Sequence, residues 1–139
     1  LVQLLLPGMA ADGFGRILNI ISTSVREPIP NLGVSNTIRG AMASWSKSLS
    51  RELPAGVTIN NVLPGFTDTE RLGSLKEAVA ARTGQTLEQV MDGWLAQVPE
   101  KRLGLPEEVG AVVAFIASPA GAFIRGVSLP VDGGRLRSI

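Results

Sequence analysis

Two kinds of hydrophobic pattern alternate along this chain. Short runs of consecutive apolar residues, rich in β-branched side chains, occupy residues 16–22, 57–63 and 126–131. Such continuous runs predict strands buried on both faces, as in parallel sheets, whereas strict alternation would indicate a half-exposed strand. Between them, apolar residues return every three or four positions. Over residues 34–53, Ile38, Met42, Trp45, Leu49 and Leu53 make one helical stripe, which Pro54-Ala55-Gly56 stops. Residues 70–82 predict a second helix with Leu72, Leu75 and Val79 inward, Thr69 as its cap and Gly84 near its end. Thr86 and Gln89 stand at capping-box spacing and open a helix with Leu87, Val90, Met91, Trp94, Leu95 and Val98 on one face. Pro106-Glu107-Glu108 opens another, ending near residue 118, with proline in the first turn and carboxylates at the positive end of the dipole.

Strands separated by helices form βαβ units, so the fold class is α/β with a parallel sheet. Leu1 to Leu6 read as the tail of a helix that leaves at Pro7-Gly8, and the segment up to Gly15 reads as its exit loop. The glycines of that loop are misspaced for a dinucleotide fingerprint and precede a strand instead of joining strand to helix. Residues 1–6 are too short to span a bilayer, and they lack the basic flank of a signal peptide.

Composition changes the picture mainly by exclusion. A length of 139 residues suits one domain, and 45% hydrophobic with 18% charged content reads as a soluble folded chain. Net charge is +1 with signs interspersed, so the basic stripe of a nucleic-acid binder is missing and no membrane partner is indicated. No cysteine is present, which excludes disulfides and thiolate metal sites within these residues and fits a reducing cytoplasm. The absence of histidine removes the commonest general base and metal ligand, along with any Ser-His-Asp triad. No metal site is expected.

Four segments carry a resemblance: Gly15 to Ser22; Asn60-Asn61-Val62-Leu63-Pro64-Gly65-Phe66-Thr67-Asp68-Thr69; Arg102-Leu103-Gly104-Leu105-Pro106-Glu107-Glu108-Val109; and Gly126 to Gly134. In that order they resemble the serine-bearing strand, the Asn-x-x-x-Pro-Gly-x-x-x-Thr loop, the Arg-x-Gly-x-Pro-Glu-Glu-Val helix start and the Val-Asp-Gly-Gly strand end of the short-chain dehydrogenase/reductase family. The chain is also similar to the 3-oxoacyl carrier-protein reductases within it. The resemblance implies a Rossmann-like three-layer α/β/α fold, of which residues 1–139 would be the C-terminal part of a single domain, the N-terminal cofactor-binding half being absent. It implies an oxidoreductase that transfers hydride between the nicotinamide of NAD or NADP and a small-molecule carbonyl or alcohol. The residue that chooses between NAD and NADP would lie upstream.

The resemblance also assigns roles. Ser22 would polarise the substrate carbonyl, and Pro64, Gly65, Thr67 and Thr69 would contact the nicotinamide and its phosphate. Ser35 follows Ser22 by 13 positions and falls where the family keeps its catalytic tyrosine, with Arg39 where the lysine should be. No tyrosine occurs anywhere in the chain. A serine hydroxyl is shorter and far less acidic than a phenol, so it cannot perform the tyrosine's general-acid step from the same place. Arg39 keeps a positive charge that could hold ribose hydroxyls but will not relay protons as an amine does. Taken alone, these residues favour Ser35 as the cap of a helix beginning at Asn36 and Arg39 as a solvated charge. Ser22 and Thr69 likewise have bland readings, as a strand-end hydroxyl and a helix cap.

Two functions follow. One is an active oxidoreductase whose proton donor is something other than tyrosine, with residues 66–98 as a lid whose Leu72, Leu75, Met91 and Trp94 indicate an apolar substrate. The other is a catalytically lapsed relative that serves as a binding or assembly module. The family's usual subunit contacts would be the Trp45 helix and the last helix and strand, implying a homodimer or homotetramer. Trp45, Trp94, Phe115 and Phe123 read as core or interface anchors, and Arg135-Leu136-Arg137 as a solvated tail. The strand near residue 18 would expose an unpaired apolar edge, so these residues alone are not expected to fold stably as a monomer.

Overall fold

The computed structural model describes residues 1–138. Its elements are α1 (Val2–Ala11), β1 (Gly15–Ile20), α2 (Gly33–Glu52), β2 (Val57–Pro64), α3 (Glu70–Thr83), α4 (Leu87–Leu95), α5 (Pro106–Ala117) and β3 (Ser128–Val131). The three strands form one parallel sheet of order β1-β2-β3. Gly15 pairs with Val57 and Ile20 with Val62, while Asn61 pairs with Ser128 and Pro64 with Val131. That register brings the carboxyl ends of all three strands to one rim.

β2 is the centre, and Val57 through Leu63 are all buried, as a continuous apolar run predicts. Val57 and Ile59 pack with Leu53 in a core that also holds Leu6 and Met9 of α1, Ile17 of β1 and Leu49 of α2. Two neighbouring asparagines interrupt the apolar run, and each bonds through both its oxygen and its nitrogen. Asn60 Nδ2 donates to the Ile124 carbonyl (2.9 Å) and Asn60 Oδ1 accepts from the Val127 N–H (3.1 Å), tying the approach to β3 onto the centre of the sheet. Asn61 accepts from Asn19 (3.2 Å) and donates to Ser128 (3.0 Å), crossing all three strands.

Several boundaries differ from those the sequence predicts. α1 continues through Pro7 and Gly8 to Ala11, because a proline one turn inside a short, exposed helix forfeits a single backbone bond. The last strand begins at Ser128 instead of 126, since Gly126 sits at φ 69°, outside strand geometry. Within α2 the buried residues are Ser46 and Ser50; of the predicted stripe, Leu49 and Leu53 reach the core but Ile38 and Trp45 do not. Small side chains let the helix lie close, and a Cβ on Gly126 would collide with the Ser50 side chain. Ile38 (59% exposed) and Trp45 (42%) therefore face outward, as does Phe123 beyond α5 (103%). In α3, Leu72 and Val79 are half-buried but Leu75 is exposed.

The surface is larger than the mass requires. A folded monomer of 14.6 kDa exposes about 6,900 Å², against 8,487 Å² here. The excess, roughly 1,600 Å², is about twice what one partner buries in a standard protein–protein interface. Among the described residues β1 pairs only with β2, leaving its other edge open. No helix among them is long and apolar enough to cross a membrane.

Candidate active-site cleft

At the carboxyl rim the chain opens a cleft of about 450 Å³, and Ser22, Ser35, Arg39, Pro64, Gly65, Thr67 and Thr69 all line it. The residues singled out from the sequence, taken from three separate segments, are thus brought to one place. Open α/β sheets bind ligands beyond the carboxyl ends of their strands, and this cleft lies there.

Ser22 stands two residues past β1 and caps a short 3₁₀ turn at Thr23–Val25. Its Oγ accepts from the Ser24 N–H (3.1 Å), which leaves its own hydroxyl hydrogen available to a ligand. Ser35 lies inside the first turn of α2, which begins at Gly33, so it does not cap a helix starting at Asn36. Asn36 instead holds the preceding loop, donating to the Ile29 carbonyl (2.8 Å). Nor is Arg39 a solvated charge. It is half-buried, donating from Nη1 to the Ile21 carbonyl (2.5 Å) and from Nε to Ser35 Oγ (3.1 Å). With a guanidinium donating into its oxygen, the Ser35 hydroxyl is polarised toward giving its hydrogen to a group in the cleft.

The Pro64-Gly65 turn is held from behind. Gly65 N–H donates to the Val131 carbonyl (2.9 Å), and a Cβ at position 65 would come within 2.8 Å of Asp132 Cα. Phe66 and Asp68 exchange backbone bonds with Gly104, at 2.9 and 2.8 Å. The Gly104 segment is in turn clamped by Arg102, whose guanidinium makes a two-pronged contact with Glu108 (2.6 and 2.8 Å). Glu108 also accepts from the Leu105 N–H (2.7 Å). The Arg102 bond first, then that backbone bond, hold the Glu108 carboxyl at about 2. Three of the resembling segments therefore interlock physically, each propping the loop after β2. Thr69 caps α3, accepting from the Leu72 N–H (3.3 Å), and still lines the cleft.

Leu72 and Leu75 line the cleft, but Met91 and Trp94 do not. Trp94 stacks behind Phe66, with ring centroids 5.2 Å apart, so its indole supports a lining residue instead of serving as one. Sequence reasoning also missed two lining groups. Ser24 is buried, with its Oγ unpartnered. Arg135 is no solvated tail: the turn at Asp132, whose carboxylate accepts from the Gly134 (3.1 Å) and Leu136 (2.9 Å) N–H groups, returns it to the cleft. Two adjacent left-handed glycines, Gly133 and Gly134, are the sequence signal that could have revealed this reversal. The charged residues on the cleft wall are Arg39, Arg71 and Arg135, with no carboxylate among the lining.

Comparison with known proteins gives a consistent picture. A family model described as enoyl-(acyl carrier protein) reductase matches residues 1–135. The chain is 33% identical over 132 residues to the NADPH-dependent reductase BacG of Bacillus subtilis, covering 94% of this chain and 51% of that protein. It is 37% identical over 137 residues to the 3-oxoacyl-[acyl-carrier-protein] reductase FabG of Vibrio cholerae, covering 96% and 51%. The crystal structure of YwfH, an NADPH-dependent reductase involved in bacilysin biosynthesis, superposes with a TM-score of 0.91 at 31% identity, covering 99% of this chain and 53% of that one. An actinorhodin polyketide ketoreductase with NADPH gives 0.88 at 30%, covering 94% and 51%. The chain spans about half the length of the curated relatives it matches.

Proposed function

The chain belongs to the short-chain dehydrogenase/reductase family, and from that premise we propose that it forms the catalytic rim of an NAD(P)-dependent oxidoreductase acting on a small carbonyl or alcohol. The observation that carries this reading is the convergence of Ser22, Ser35, Arg39 and the Pro64-Gly65 turn on one cleft beyond the strand ends. The relatives described as NADPH-dependent reductases support it.

The residues present fit a nicotinamide nucleotide. Pro64 and Gly65 line the cleft, with Gly65 backed closely by Asp132, and the cleft's charged groups are all cationic. Pro64 and Gly65 would carry the ring, Thr67 and Thr69 would donate to its carboxamide or phosphate, and Arg39 would sit beside the ribose. When bound, the nicotinamide supplies or accepts the hydride. Ser22 donates its free hydroxyl hydrogen to the substrate oxygen and holds the carbonyl in line. Ser35 also donates a hydrogen bond there, strengthened by Arg39, but its hydroxyl is too weakly acidic to surrender the proton outright. The proton delivered to the substrate oxygen comes from water or from a side chain outside these residues. The outward faces of α2 and of the α5 end suit subunit contacts in a dimer or tetramer.

Arg39 and Ser35 in place of lysine and tyrosine favour one rival, a lapsed enzyme retained as a binding module. Fluorescence titration with NADH and NADPH, and carbonyl-dependent oxidation of each, would be measured on the intact protein and on the S35Y/R39K variant. Binding and turnover by the unaltered protein, reduced in the variant, support active altered chemistry. Activity appearing only in the variant supports the lapsed enzyme. No cofactor binding by the unaltered protein eliminates the oxidoreductase.

A further inference from the structure

Of the three arginines on the cleft wall, two are accounted for. Arg39 donates to Ile21 and Ser35 and is assigned above to the cofactor ribose, and Arg71 is exposed in the first turn of α3. Arg135 is different. It is half-buried and fixed on two sides: Nη1 donates to Thr23 Oγ1 (3.0 Å), and its guanidinium lies 4.6 Å from the centroid of Phe66, a ring itself stacked on Trp94. Its remaining bond, to Gln97, is a long 3.5 Å. Nε is buried without a partner, and of five guanidinium hydrogens each Nη keeps one unassigned. Among the described residues the single ion pair is Arg102–Glu108, so no carboxylate among them pairs with Arg135. A held guanidinium with unspent donors, facing a cleft without acids, is completed by an anion from outside.

We propose that Arg135 binds a carboxylate on the substrate, and that the substrates are oxo acids or the corresponding hydroxy acids. The inference rests on the oxidoreductase reading above and names the substrate class of the same cleft. Position argues that this anion belongs to the substrate. Arg135 is anchored on Thr23, the residue next to Ser22, whose hydroxyl polarises the reacting carbonyl, and consecutive Cα atoms lie only about 3.8 Å apart. Carbonyl and carboxylate then fit within one small molecule, a few bonds from each other. Ile29, Leu32, Leu72 and Leu75 of the cleft wall receive its apolar remainder. The substrate is thus apolar at one end and anionic at the other.

The test uses the intact protein with 2-, 3- and 4-oxo acids bearing alkyl or aryl chains, each paired with its methyl ester. The readout is kcat/KM for NADH or NADPH oxidation, with cofactor affinity titrated separately by fluorescence. The unaltered protein is expected to prefer the best acid over its ester by at least about 10-fold, the usual worth of a charge-assisted hydrogen bond. Arg135→Met should reduce that acid-to-ester ratio about 10- to 100-fold, and Arg135→Lys should restore part of it. An ester turned over as well as its acid by the unaltered protein overturns the proposal. So does an unchanged ratio in Arg135→Met or, should that variant not fold, an unchanged ratio in Arg135→Lys. Cofactor binding with ester turnover leaves the oxidoreductase standing while this inference falls; absence of cofactor binding brings down both.

Discussion

Adding one methyl group at Gly65 and the same group at Gly73 should have opposite effects. At position 65 the new Cβ would lie 2.8 Å from both Cα and Cβ of Asp132, well inside van der Waals contact. The obstruction is main chain, and it is held: Gly65 N–H is bonded to the Val131 carbonyl at 2.9 Å, and Asp132 is fixed by the two N–H groups its carboxylate accepts. Relief requires prising β2 from β3 at the rim, and forced overpacking of this kind costs about 1–3 kcal/mol. For proteins of roughly twice this length that corresponds to a fall in Tm of roughly 2–12 °C. The displaced turn is also the proposed nicotinamide seat, so NAD(P)H affinity should fall in the same variant. Gly73 lies within α3 with nothing within 4 Å of its added Cβ, so Gly73→Ala should stabilise by up to about 1 kcal/mol through helix propensity alone. Differential scanning calorimetry and fluorescence titration of the intact protein read both effects. A Gly65→Ala variant that melts and binds cofactor like the unaltered protein would refute the claim that β2 and β3 close tightly behind this turn.

Other consequences are as direct. Asn60→Leu orphans the Ile124 carbonyl and Val127 N–H together, so urea unfolding of the intact protein should show a loss of about 2–6 kcal/mol; a midpoint unchanged at equal slope contradicts it. Glu108 has a folded pKa of about 2, below its unfolded value of about 4.3. Its contribution is therefore complete above about pH 4.3 and is lost as pH falls through the folded value, so carboxyl-carbon NMR should place its midpoint near 2, and one above 4 would break the Arg102 clamp argument. Residues 1–139 prepared alone should self-associate or bind hydrophobic dye, given about 1,600 Å² of surplus surface; a cooperatively melting monomer in sedimentation and calorimetry contradicts that.

The parallel order of strands was legible because continuous apolar runs and helical stripes have different periods, and caps such as Thr69 and Thr86 mark their own boundaries. The cleft was legible wherever a residue's place follows from a strand end, as at Ser22 and Gly65. Periodicity failed where packing distance ruled. Leu49 and Leu53 of the α2 stripe reach the core while Ile38 and Trp45 face outward, because Ser46 and Ser50 are the side chains that let the helix approach the sheet, a preference no hydrophobicity scale carries. Arg135 escaped notice because its direction depends on a turn closed by Asp132 and two left-handed glycines, and charge near a chain end reads as solvated until that turn is drawn. The pairing of Arg39 with Ser35 is a four-residue helical spacing visible in the sequence, but its partner carbonyl on Ile21 lies 18 residues away.

The most direct test of the account is a crystal structure of the intact protein with NADPH or NADH bound. The nicotinamide ring should rest against Pro64-Gly65, with Ser22 and Ser35 facing the carbon that exchanges hydride and Arg39 beside the ribose. A ring seated elsewhere, or a protein that takes up neither cofactor at saturating concentration, would contradict it.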